Sequence, residues 1–200
     1  MTPHQERAED LCTRILLRIR GIMPARGVTR QQFDEAIGSN LFLLMERDRP
    51  LRVGMLLQVA VLLDVDPYML LVEPSTMSLD EEVQAILKTR HPPRFPDAQV
   101  ARHRIVTAIT TARKSQGIGF RTIDAATGVG KDWCARLTKS ALDLVLWRSA
   151  ASLFMFGLNV ADVVRSNTYG VPDPERTKRI PQPVSRKGQR RRTTTKKAAA

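Results

Sequence analysis

Cysteine is almost absent from this 200-residue chain: only Cys12 and Cys134 occur, more than a hundred positions apart. That excludes a disulfide framework, and three scattered histidines, His4, His91 and His103, add no zinc-ligand spacing. Cys134 falls where a helix needs an apolar contact and reads as a buried thiol. Aromatic residues make up 5% of the chain, which suits small aliphatic cores better than a large β-sandwich. No run of 18 apolar residues occurs, and the longest apolar stretches, near Met55–Leu63 and Ser152–Leu158, are too short to span a bilayer. The chain opens on no basic-then-apolar leader, so the expectation is a reduced, cytoplasmic protein with no membrane partner.

Enzymatic constellations are also lacking. No Ser-His-acid set or pair of carboxylates stands out, and Gly128-Val129-Gly130-Lys131 lacks the earlier glycines and the following strand of a phosphate loop. No catalytic residue, metal or cofactor is therefore expected. Positive charge, by contrast, is abundant. The net charge is +12, and +8 of it lies in residues 171–200, where ten Lys or Arg face only Asp173 and Glu175. Such a field attracts polyanions. The rest, 42% hydrophobic and 26% charged over the whole chain, is ordinary globular composition.

One segment occurs twice. Around Gly27-Val28-Thr29, Phe33 and Gly38 the chain reads turn, short helix, glycine turn, and the same order returns around Gly117-Ile118-Gly119, Ile123 and Gly128. In both copies the bracketing glycines stand eleven residues apart, with a bulky apolar residue five before the second. Two such units point to a reader of DNA.

Helical periodicity fills in the remainder. An amphipathic helix is expected over residues 6–20, interrupted by Pro24 and Gly27. Thr29 with Gln32 forms a capping-box pattern for a helix over Arg30–Ile37, ended by Gly38. Asn40 can cap a third helix over Leu41–Arg47; Val53–Leu63 is a nearly all-apolar fourth, and Asp66-Pro67 starts a short fifth. Ser78 and Glu81 cap a connector helix, whose Leu79–Leu87 face either packs within the chain or pairs with another subunit. Pro92, Pro93 and Pro96 stiffen the stretch between that helix and the second copy. The second copy reads Arg104–Ser115, Phe120–Thr127, Lys131–Ser140, Leu144–Phe156 and, capped by Asn159, Val160–Val164. The fold class expected is all-α: two five-helix domains over 6–72 and 101–168, a connector over 73–100, and a disordered basic tail over 169–200.

With Gly117, Ile118, Gly119, Ile123, Gly128, Val129, Gly130, Cys134, Leu137, Phe156, Gly157, Leu158 and Asn159, the second copy resembles the helix-turn-helix of the phage lambda repressor and Cro-like family. The first copy resembles it through Gly27, Val28, Thr29, Phe33, Gly38, Val59, Ala60, Leu63, Asp64 and Val65, and the likeness covers about two-thirds of the chain. Three departures stand in the second copy. Asp124 occupies the place of a buried alanine, Gly130 that of the capping serine, and Ser140 that of the glycine after the third helix.

The resemblance implies a third helix in the major groove, with its first residues on base edges. It assigns base reading to Lys131, Asp132, Trp133 and Arg136, although the Trp133 ring is equally suited to packing on the second helix. Lys114, Arg121, Lys139, Arg47, Arg49 and Arg52 become phosphate candidates, joined by Arg186, Lys187, Arg190, Arg191, Arg192, Lys196 and Lys197 of the tail. The first copy is the poorer reader: its third helix carries Leu41, Phe42, Leu43 and Met45, which suit an interface with a second copy or a protein partner. The expected function is a transcriptional regulator of bacterial or mobile-element type that reads double-stranded DNA as a homodimer and is nucleoid-associated. The alternative is an architectural or assembly protein, or an accessory factor for recombination or replication, with little sequence preference. Because each phosphate contact releases counterions, deleting residues 176–200 is expected to weaken binding to every duplex alike and to flatten its salt dependence, as read from Kd at several salt concentrations. Loss confined to one sequence would contradict this.

Overall fold

The computed structural model describes residues 1–38, 50–73, 76–92, 95–137 and 144–166. Among them it is all-α, with ten helices, no strand and one isolated β-bridge. No helix among the described residues is long and apolar enough to cross a membrane. Leu41, Phe42, Leu43, Met45, Arg47, Arg49, Lys139 and the basic tail lie outside the described residues.

Helix α1 runs Pro3–Ala25, longer at both ends than periodicity suggested. Thr2 supplies the cap by accepting from the Gln5 N–H, and Pro3 stands where a missing N–H costs nothing. Pro24 falls in the last turn, so the helix tolerates it and stops a residue later. The chain then turns at Gly27 into α2, Arg30–Ile37, whose capping box joins Thr29 and Gln32 as expected. Helix α3 spans Val53–Leu62, and α4, Pro67–Leu71, starts with Asp66 accepting from the Tyr68 N–H. The connector helix α5 is Leu79–Leu87, capped by Ser78 and Glu81.

The second half repeats the scheme as α6 Ala98–Ser115, α7 Phe120–Thr127, α8 Trp133–Leu137, α9 Leu146–Phe154 and α10 Val160–Arg165. Asp97 starts α6 six residues before the expected point by accepting from the Val100 N–H. The likeness of the halves extends to individual backbone bonds. Val28 donates to Met23 and Ile118 to Arg113, both at 3.0 Å; Gly38 donates to Asp34 at 2.9 Å and Gly128 to Asp124 at 3.0 Å. Farther on, Val65 donates to Ala60 and Leu158 to Leu153, each at 3.0 Å. Asp66 and Asn159 then play the same capping part.

Helices cross between the halves. Helix α1 packs on α9 and reaches α7, α6 packs on α3, and α4 meets α10. One apolar core runs from Ala8 and Leu11 through Leu56 and Leu70 to Ile105, Leu153 and Val164. Between α3 and α9 the backbones join directly. The Val53 N–H donates to the Leu144 carbonyl at 2.9 Å, and the Leu146 N–H donates to the Leu51 carbonyl at 2.8 Å.

The connector helix packs within the chain, on α1. Gly21 lets it approach, since a Cβ there would lie 2.8 Å from a Val83 methyl. A buried charge cluster fastens it. Arg18, 2% exposed, donates to Glu82 at 2.9 Å and to the carbonyls of Leu70 and Val72 at 2.9 and 2.6 Å. Arg14 donates to the same Glu82 oxygen at 2.8 Å. Removing one member of such a cluster leaves a buried charge uncompensated. Glu82→Ala is therefore expected to cost about 3–5 kcal/mol in urea unfolding; a loss below about 1 kcal/mol would mean that water replaces the carboxylate at little cost.

Candidate nucleic-acid interface

The α7–α8 turn begins where Gly128, at φ 66°, closes α7 in the left-handed region. The left-handed backbone disfavours a side chain there, and a Cβ would also stand 2.5 Å from the side-chain amide oxygen of Gln5 on α1, which would have to swing aside. Gly130 follows at φ 95° and Asp132 at φ 59°, so Lys131 and Asp132 form a turn rather than the first residues of a helix. Regular helix starts at Trp133 and is described as far as Leu137.

Helix α8 takes its position from its neighbours. Its inner face, Trp133, Cys134 and Leu137, is buried, as is Val129 of the turn. Two of its backbone groups are tied by side chains from other helices. Asp124 of α7, 8% exposed, accepts from the Cys134 N–H at 3.0 Å. Arg102 of α6 donates to the Leu137 carbonyl at 2.9 Å. A carboxylate at the start suits the helix dipole. Gly130 brings no capping side chain, and Asp124 supplies the cap across the turn. The burial of Cys134 pushes its thiol up to about 12, with the neighbouring Asp124 carboxylate adding to the effect.

The outer surface is basic. Lys114, Arg121, Lys131 and Arg136 are exposed, and none makes an ion pair among the described residues. Arg121, Lys131 and Asp132 share the rim of a depression of about 460 Å³ with Asp124, Ala125, Gly128 and Gly130. Arg136 folds back over the turn, its Nε donating to Asp132 and an Nη to Lys131, both carbonyls at a long 3.3 Å. Trp133 is 7% exposed and faces the core, the packing alternative that the sequence also allowed it. Arg52 is exposed at the bridge to Val145, away from the α7–α8 element in the chain.

Elsewhere several arginines are already engaged. Arg7 donates to Glu73, Arg14 and Arg18 to Glu82, Arg30 pairs with Asp34, and Arg90 with Asp64. Among the described residues no group of three or more His, Cys, Asp or Glu could hold a metal ion. Sequence reasoning did not find Arg102 or the capping part of Asp124. The one local signal was an acid at a position that the family fills with alanine. The chain matches no protein-family model, no curated protein and no solved structure.

Loss of the cap should loosen α8. Asp124→Ala is expected to cost about 1–2 kcal/mol in denaturant unfolding, and Asp124→Asn, which keeps an acceptor, at most half of that. Equal costs would assign the effect to the carboxylate charge and not to the hydrogen bond. In the native protein at pH 8, Cys134 is expected to resist alkylation that proceeds on urea unfolding, because almost none of it is thiolate. Mass spectrometry of the alkylated chain reads this directly, and rapid native labelling would contradict it.

Proposed function

We propose that the chain is a double-stranded DNA-binding regulator whose reading surface is the α7–α8 unit of the second half. The observation that carries this reading is the set of unpaired cations around a bend held rigid from behind: Arg121 and Lys131 on one depression, with Arg136 one turn along α8. Lys131 and Arg136 can donate to guanine O6 and N7, and Asp132 can accept from a cytosine amine. The two long hydrogen bonds that hold Arg136 on the turn are weak, so its guanidinium can exchange them for a base edge at small cost. Lys114 and Arg121 would neutralise phosphates and set the register. The anchoring of α8 by Asp124 and Arg102 keeps the helix in place before DNA arrives, which lowers the ordering cost of binding.

The burial of Trp133 favours a second reading, since it leaves a small set of side chains for base contacts. On that reading the same surface holds duplex with little sequence preference, as an architectural or accessory factor.

The two readings separate on one variant. Under the first, Arg136→Ala lowers the ratio of specific to random duplex affinity by about 5- to 150-fold, the equivalent of 1–3 kcal/mol for one bidentate base contact. Titrations at about 150 mM salt on a selected and on a scrambled duplex measure that ratio. Equal losses on both duplexes would overturn the sequence-reading assignment and leave the architectural one.

A further inference from the structure

We infer that the DNA-binding unit is a single chain, itself an internal two-fold pair with one basic member, and that its target is a duplex site without inverted symmetry. This rests on the DNA-binding reading above. The sequence led to the expectation of a homodimer; the fold contains the second copy already.

The bridge carries the inference. Leu51, Arg52 and Val53 precede and open α3 as Leu144, Val145 and Leu146 precede and open α9, so the two segments are equivalent places in the two halves. Val53 donates to Leu144 and Leu146 donates to Leu51. Exchanging the halves turns one of these bonds into the other, which is the pattern of an isologous, two-fold contact. The helices obey the same exchange: α1 packs on α9 and α6 on α3, while the equivalent helices α4 and α10 pack on each other. Val53, Leu56, Leu146 and Leu153 are buried in this contact region. The surfaces through which two copies of the unit would pair are thus consumed inside one chain.

The pair is not equal. Where α7 carries Arg121 and Ala125, α2 carries Gln31 and Glu35, and Lys114 is matched by Pro24. The chain from Gly38 to Arg52 is also three residues shorter than that from Gly128 to Val145. Two unequal surfaces related by a two-fold axis do not make equal contacts on an inverted repeat, so the chain binds in one orientation.

Sedimentation of the full-length protein, alone and on a duplex enriched from a random pool, tests this. The expected result is a 22.5 kDa species in solution, one chain per enriched duplex, and an enriched motif that lacks inverted symmetry. Two chains on an inverted motif, or a two-chain species in solution, would overturn the inference and leave the DNA-binding reading standing. A single chain that enriches no motif yet binds random duplex overturns the assigned target. Failure to bind duplex at all overturns the DNA-binding reading and this inference with it.

Discussion

Val53 and Leu146 each give a backbone N–H to the opposite half, and the arrangement of the helices follows from that exchange. It joins the start of α3 to the start of α9 and fixes where the most apolar helix of the first half stands against its counterpart. Helices α1 and α6 can then bury their inner faces across the junction. Neither half could cover α9 or α3 by the same contacts alone, because α1 and α6 supply part of that cover from the opposite side. Buried backbone groups need partners, and here each half provides the other's.

Helix α8 depends on this arrangement. Three of its described side chains, Trp133, Cys134 and Leu137, are buried, so its position comes from the neighbours. Asp124 accepts from the Cys134 N–H near its start, Arg102 donates to the Leu137 carbonyl, and the Gln5 side chain of α1 lies against the preceding turn at Gly128. Of the exposed cations, Arg121 and Arg136 are presented by helices and Lys131 by the turn between them. In the first half, by contrast, Arg18 and Arg14 hold the connector helix through Glu82 and are lost to any ligand.

Much of the local structure was legible in the sequence because its causes are local. Thr29 with Gln32, Ser78 with Glu81, Asp66 before Pro67, and the paired glycines at 38 and 128 each act within four residues, and the helices they bound match closely. Errors arose where the cause lay elsewhere. Thr2 and Asp97 began helices earlier than their apolar faces suggested, and Pro24 sat too near an end to break one. The inward turn of Trp133 and the capping reach of Asp124 depend on how α7, α8 and the rest of the core meet in space. Cross-half packing has no local signature: the repeat revealed two units but not how they exchange helices. At the candidate site, the pattern proposed Lys131 and Arg136, whereas it gave no sign of the side chains that hold α8.

Backbone amide shifts of the full-length protein, followed while duplex DNA is titrated in, test the proposed surface most directly. The expected changes are concentrated over residues 114–137, with α2 at Arg30–Ile37 and the buried amides of Val53 and Leu146 essentially unmoved. Changes centred on α2, or a loss of the Val53 and Leu146 signals on binding, would contradict it, since the first would put the reading surface on the other half and the second would show that the internal pair opens.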